Sequence, residues 1–158
     1  MERTFVLLKP DALKRGLAGT IIKRFEDAGL TLKAMKLMDA DQKRARQHYA
    51  EHKNKPFFTP LVDLLCSGPV IAMAWEGAHA VKVVRKITGA TEPLEAAPGT
   101  IRGDFCHMSY TRSRECLGVI PNLVHASDSP ESARQELSLW FDESCFTEEW
   151  QRCDAQFL

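Results

Sequence analysis

No apolar stretch in this 158-residue chain approaches the roughly 18 residues that a membrane-spanning helix needs, so none is expected. Charge of one sign is missing too, with 21 Lys plus Arg against 21 Asp plus Glu. A net charge of zero excludes a global field that would draw the chain to nucleic acid or an acidic membrane, so any anion site must be local. Cys66, Cys106, Cys116, Cys145 and Cys153 are odd in number and scattered, which is poor material for a disulfide framework; they read as reduced thiols. Neither a GxxxxGKS/T phosphate loop nor a GxGxxG fingerprint occurs, so phosphates would have to be held by side chains. The opening Met1-Glu2-Arg3-Thr4-Phe5-Val6 enters strand-like sequence without the basic and apolar regions of a signal peptide, which predicts a cytoplasmic protein.

What is present is ordinary for a folded domain: 44% hydrophobic and 27% charged residues, enough for one core over residues 1–158. Thr4 to Leu8 reads as a strand stopped by Lys9-Pro10-Asp11, because proline cannot donate to a ladder. Leu13, Leu17, Ile21 and Phe25, four apart, predict one helix ended at Gly29. Thr31 to Met38 and Val70 to Trp75 read as strands, and Ala45 to Glu51, Leu61 to Cys66 and Ala78 to Ile87 as helices. Thr88 to Asp104 carries no periodicity and is a long candidate functional loop. Leu117 to Val124 reads as a final strand. Ser129-Pro130-Glu131 has the chemistry of a helix start, followed by the apolar stripe Ala133, Leu137, Trp140 and Phe141. This order suits an α+β sandwich, an antiparallel sheet with helices on one face.

Cations at element ends or in the long loop, Lys9, Arg85 and Arg102, are candidates for holding phosphate. His48 and His52 are four apart, as in metal-binding helices, but the HExxH glutamate and a third ligand are missing. His125 lies between a strand and a helix N-terminus, where free backbone donors favour phosphate. Glu136 borders the buried stripe of the following helix and could accept from one ring nitrogen of His125, leaving the other as a nucleophile. A purely structural histidine is the alternative.

The run Asn122-Leu123-Val124-His125-Ala126-Ser127-Asp128 resembles the active-site signature of nucleoside diphosphate kinases. In order along the chain, Arg3-Thr4-Phe5 to Lys9-Pro10-Asp11, Ile22-Lys23-Arg24-Phe25-Glu26, Pro56-Phe57-Phe58, Ser67-Gly68-Pro69-Val70, Trp75-Glu76-Gly77, Pro98-Gly99-Thr100-Ile101-Arg102-Gly103-Asp104-Phe105 and Ser138-Leu139-Trp140-Phe141 match as well. The resemblance implies a ferredoxin-like αβ sandwich, a homo-oligomer (hexamer or tetramer), and γ-phosphoryl transfer from a nucleoside triphosphate to a nucleoside diphosphate such as ADP or GDP. It implies Mg²⁺ carried mainly by the nucleotide phosphates, with no protein metal ligands. His125 would be the nucleophile, oriented by Glu136 and Ser127, and the kinetics ping-pong. Lys9, Tyr49, Arg85, Thr91, Arg102 and Asn122 would contact phosphates or sugar, with Phe57 and Leu61 beside the base.

Three departures from the family pattern stand out. Ala126 replaces the usual glycine after the histidine, and Cys106 to His125 is roughly ten residues longer than usual, an insertion at about 107–121. Ile120-Pro121-Asn122 stands where Gly-Arg-Asn is common; Arg112 and Arg114 are the two alternatives for the missing charge. A regulatory protein that binds phosphate without turnover is a second reading, favoured by the insertion. Nucleic-acid binding is not expected, since no RNP1-like aromatic pattern occurs.

Overall fold

An unbroken apolar run such as Phe5-Val6-Leu7-Leu8 has no polar side to turn to water, so it belongs mid-sheet with both faces covered. The computed structural model, which describes residues 1–147, 150 and 152–154, has it there. β1 (Glu2–Leu8) lies between β3 (Pro69–Gly77) and β4 (Val124–Ala126), with β2 (Thr31–Asp39) beyond β3. The order is β2-β3-β1-β4 and every pair is antiparallel.

Side chains alternate along β1. Val6 and Leu8 pack with Phe25, Met73, Trp75 and Val84, under α1 (Pro10–Lys14), α2 (Ala18–Asp27), α5 (Ala80–Thr88) and α6 (Ile101–Phe105). Phe5 and Leu7 pack with Tyr49, Val62, Leu65 and Trp140, under α3 (Gln42–His48), α4 (Phe58–Leu65) and α8 (Pro130–Trp140). Helices therefore cover both faces rather than one, as the doubly apolar β1 requires. The architecture is the ferredoxin-like α+β sandwich.

Other differences from the sequence expectation have local causes. The stripe Leu13, Leu17, Ile21, Phe25 is split between α1 and α2, because Gly16 turns the chain at φ 67°. The final strand is not Leu117 to Val124 but the short β4, since Leu123 sits at φ 69°, outside any strand conformation. Within Thr88 to Asp104 the chain forms a 3₁₀ turn at Pro93–Glu95 and then α6, whose N-cap Thr100 accepts from the Gly103 N–H at 3.0 Å. The segment 107–121 holds a helix, α7 (Tyr110–Cys116), capped by Ser109. α8 starts as read, with the Ser129 hydroxyl accepting from the Ser132 N–H at 3.1 Å. Among the described residues no helix is long and apolar enough to cross a membrane.

Candidate active site

The segment leaving β1 meets the segment entering β4. The Lys9 N–H donates to the Leu123 carbonyl at 2.8 Å, and the Asp11 carboxylate accepts from the Leu123 N–H at 2.9 Å. A bulky residue at positive φ is strained, and it persists only where its surroundings over-determine it. Here Lys9 and Asp11 grip both sides of Leu123, two residues before His125. Ala126, the departure from glycine, has no positive φ and is buried, so a methyl group is accommodated.

β4 alternates Val124 and Ala126 into the first core and turns His125 to the opposite face, towards α3 and α8. There His125 Nε2 lies 2.6 Å from Glu136 Oε1, and the Ser127 hydroxyl donates to Glu136 Oε2 at 2.5 Å. Ser127 in turn accepts from the Phe5 N–H at 3.2 Å, which anchors the acid to the central strand. A carboxylate only accepts, so Nε2 carries the proton and Nδ1 keeps its lone pair. Burial, reinforced by the charges of Lys9, Arg102 and Arg85, lowers His125 to about 3 and holds the ring neutral. Burial raises Glu136, while the Ser127 hydrogen bond works against that rise.

The three cations found in the sequence converge on one cleft of about 1020 Å³. Lys9 is buried and lowered to about 8 by desolvation; its ammonium donates to Asn122 Oδ1 at 2.6 Å. The Asn122 amide donates to the Thr91 carbonyl at 2.8 Å, tying the long loop to the strand end. Arg102 donates to three carbonyls, Asn122 at 3.2 Å, Gly89 at 3.0 Å and Val124 at 2.6 Å, so it braces the segment before His125 while facing the cleft. Burial first, then the neighbouring Arg85, lowers Arg102 to about 10. Arg85 reaches the Ala126 carbonyl at 3.5 Å. Tyr49 is buried with its hydroxyl unpartnered among the described residues, and burial raises its ionisation well above the ordinary value.

Lys9, Tyr49, Phe57, Leu61, Arg85, Thr91, Arg102, Asn122, His125 and Glu136 all line this cleft, and Ser127 sits behind Glu136. Pro56, Phe57, Pro60, Leu61 and Val119 add apolar lining to the cleft, and Phe57 is 38% exposed. Sequence reasoning missed Tyr110, Ser113 and His48. The His48 ring stands 4.4 Å from that of His125 at 79°, and the Trp140 indole N–H donates to His48 Nδ1 at 3.3 Å. Its only sequence signal was the spacing to His52, and that ring stacks on Tyr49 rather than joining the contact with His125.

His48, His125 and Glu136 offer ligand atoms within 4.8 Å of one another. They do not form a ready metal site. An indole N–H can only donate, so His48 Nδ1 is the acceptor and its Nε2 carries the proton, while His125 Nε2 is committed to Glu136. Mg²⁺ prefers oxygen ligands and keeps company with phosphates, and Asp128 is already held by the Ser132 hydroxyl at 2.7 Å. The residues present therefore fit a divalent ion that arrives on a polyphosphate.

The family model for nucleoside diphosphate kinase matches residues 2–146. A nucleoside diphosphate kinase of Archaeoglobus fulgidus is 51% identical over 158 residues, covering 100% of this chain and 97% of the relative. Nucleoside diphosphate kinase 1 of Nicotiana tabacum is 50% identical over 96% of this chain and 94% of its own. Among solved structures, the Borrelia burgdorferi enzyme, a transition-state mimic with vanadate and ADP, has a TM-score of 0.92 at 35% identity, covering 97% of this chain and 94% of that one. The Halobacterium salinarum enzyme in complex with CDP has a TM-score of 0.88 at 43% identity, covering 99% and 97%. With that family model over residues 2–146 and relatives about half identical along nearly the whole length, the chain belongs to the nucleoside diphosphate kinase family.

Proposed function

We propose that this chain transfers the γ-phosphoryl group of a nucleoside triphosphate to a nucleoside diphosphate through a phosphohistidine at His125. The observation that carries the reading is the proton assignment on that ring: Nε2 donates to Glu136 at 2.6 Å, which leaves Nδ1 free to attack. The Nδ1–phosphorus bond forms as the bond to the bridging oxygen breaks, and the electron pair leaves on the β-phosphate of the departing diphosphate. The ring gains positive character in this step, and Glu136, itself held by Ser127, stabilises it. Lys9, Arg85 and Arg102 offset the charge on the phosphoryl oxygens, which is most of what such a loose transition state needs. Asn122, Thr91 and Tyr49 position the phosphates and sugar. Mg²⁺, bound to the phosphates, would supply further charge compensation.

A second nucleotide then takes the group back in the same cleft, so ping-pong kinetics follow. The base would lie against Phe57 and Leu61. No polar group among Pro56, Phe57, Pro60, Leu61 and Val119 reads base edges, which favours acceptance of ATP, GTP, ADP and GDP alike. We take residues 1–158 as one catalytic domain with an insertion at about 107–121. β2 at the sheet edge, with Met35 53% and Leu37 68% exposed, favours a homo-oligomer, hexamer or tetramer. Five unpaired cysteines favour a reducing, cytoplasmic setting.

Incubation with γ-labelled ATP and Mg²⁺ without acceptor tests the reading. An acid-labile, base-stable label that GDP discharges as GTP is expected, absent in His125→Ala. Equal labelling of the variant, or none of the parent, refutes it.

A further inference from the structure

α7 turns one face into the cleft. Tyr110, Ser113 and Arg114, at i, i+3 and i+4, all line it, whereas Arg112 pairs with Glu115 at 3.2 Å away from it. Both ends of the helix are fixed. The Tyr110 N–H donates to Glu92 Oε1 at 2.7 Å and the Leu94 N–H to the Met108 carbonyl at 3.2 Å. After the helix, Gly118 at φ 69° leans on α4 so closely that a Cβ there would lie 3.6 Å from Pro60 Cγ. Tyr110, Ser113 and Arg114 share the cleft with Lys9, Arg85 and Arg102, so this face of α7 forms part of the wall around those cations. Arg114 stands about one helical turn from Tyr110 along that wall.

The charges in the cleft single out Arg114. Of the cleft's carboxylates, Asp128 is held by Ser132 and Glu136 by His125 and Ser127, while Glu51 lies 3.3 Å from His52. Lys9, Arg85 and Arg102 are tied to Asn122 or to main-chain carbonyls. Arg114 has no hydrogen bond, ion pair or ring contact among the described residues, although it shares the cleft with three other cations. A guanidinium so placed is complementary to a polyanion that enters from outside.

We propose that Arg114 binds the phosphates of the nucleotide in this cleft, so that the segment 107–121 builds one wall of the substrate site. The inference rests on the nucleotide-binding reading above. It also assigns to Arg114, and not Arg112, the positive charge that Pro121 cannot supply.

The test is the affinity of the full chain for the β,γ-imido analogue of ATP, ADP and AMP, in the parent, Arg114→Ala, Arg114→Lys and Arg112→Ala. Arg114→Ala should weaken the triphosphate analogue by roughly tenfold, ADP less and AMP least, with Arg114→Lys in between and Arg112→Ala equal to the parent. The loss should shrink at high salt and be the same for guanine nucleotides. Triphosphate binding by Arg114→Ala equal to that of Arg112→Ala overturns this inference alone, as does a loss that depends on the base or not on the phosphate number. No nucleotide binding by any of the proteins overturns the kinase reading together with it.

Discussion

Replacing Glu136 with Gln removes one acceptor from a group that has two donors to satisfy. The carboxylate accepts from His125 Nε2 at 2.6 Å through one oxygen and from the Ser127 hydroxyl at 2.5 Å through the other. An amide has one oxygen, so either the imidazole or the serine loses its partner, and the negative charge that stabilises the phosphorylating ring disappears in both cases. A hydrogen bond to a charged group is worth about 1.5–3 kcal/mol, which predicts a loss of about 10- to 150-fold in the rate of phosphohistidine formation. Nucleotide affinity should stay within about twofold, because Glu136 lies behind the ring and the phosphate cations are untouched. Single-turnover labelling in a quenched-flow instrument, alongside ADP binding to the same variant, separates the two quantities. An unchanged labelling rate, or a loss carried wholly by binding, would refute the orienting role.

The neutral histidines predict acid sensitivity. His125 falls to about 3 from an ordinary 6.5, and burial, then His125, also lower His48, so below about pH 6.5 the unfolded chain binds protons that the folded one refuses. Stability present above pH 6.5 should therefore decline as pH falls, by up to about 1.4 kcal/mol per pH unit for each ring, offset at lower pH by Glu136, whose raised carboxyl takes its proton earlier when folded. Urea titrations at descending pH check this, and His125→Gln should flatten the slope by about one proton; a slope that His125→Gln leaves unchanged contradicts it. Asp11→Ala leaves the Leu123 N–H without its acceptor and should cost about 1–3 kcal/mol in urea unfolding, with Asp11→Asn much milder because the amide oxygen can replace the carboxylate; equal effects would discount the grip on Leu123. Phe57→Ala should raise KM for adenine, guanine and cytosine nucleotides to a similar extent while kcat holds, since the ring offers a face rather than a hydrogen-bond pattern. A base-selective rise would show that edges are read.

Legibility in the sequence followed the physics of each element. β1 and β3 announce themselves by apolar runs, and α8 by Ser129-Pro130-Glu131, because burial and capping are local signals. The same runs concealed the second helical layer: Phe5 and Leu7 are as apolar as Val6 and Leu8, so no polar face told of one side or two. α7 was invisible, since its one inward face carries Tyr110, Ser113 and Arg114 rather than a hydrophobic stripe. β4 is three residues long and follows a left-handed Leu123, a geometry set by Lys9 and Asp11 from over a hundred positions away. The cations that line the cleft, Lys9, Arg85 and Arg102, could be found at element ends or in the long loop. The Trp140 to His48 hydrogen bond joins residues 92 apart and is a tertiary fact with no spacing to betray it.

The account turns on which nitrogen of His125 is free. Phosphorus NMR of the phosphorylated protein, with the phosphohistidine isomer identified after alkaline hydrolysis, measures this directly. The hydrogen bond from Nε2 to Glu136 predicts phosphate on Nδ1 alone. Phosphate on Nε2 would contradict both the proton assignment and the role given to Glu136.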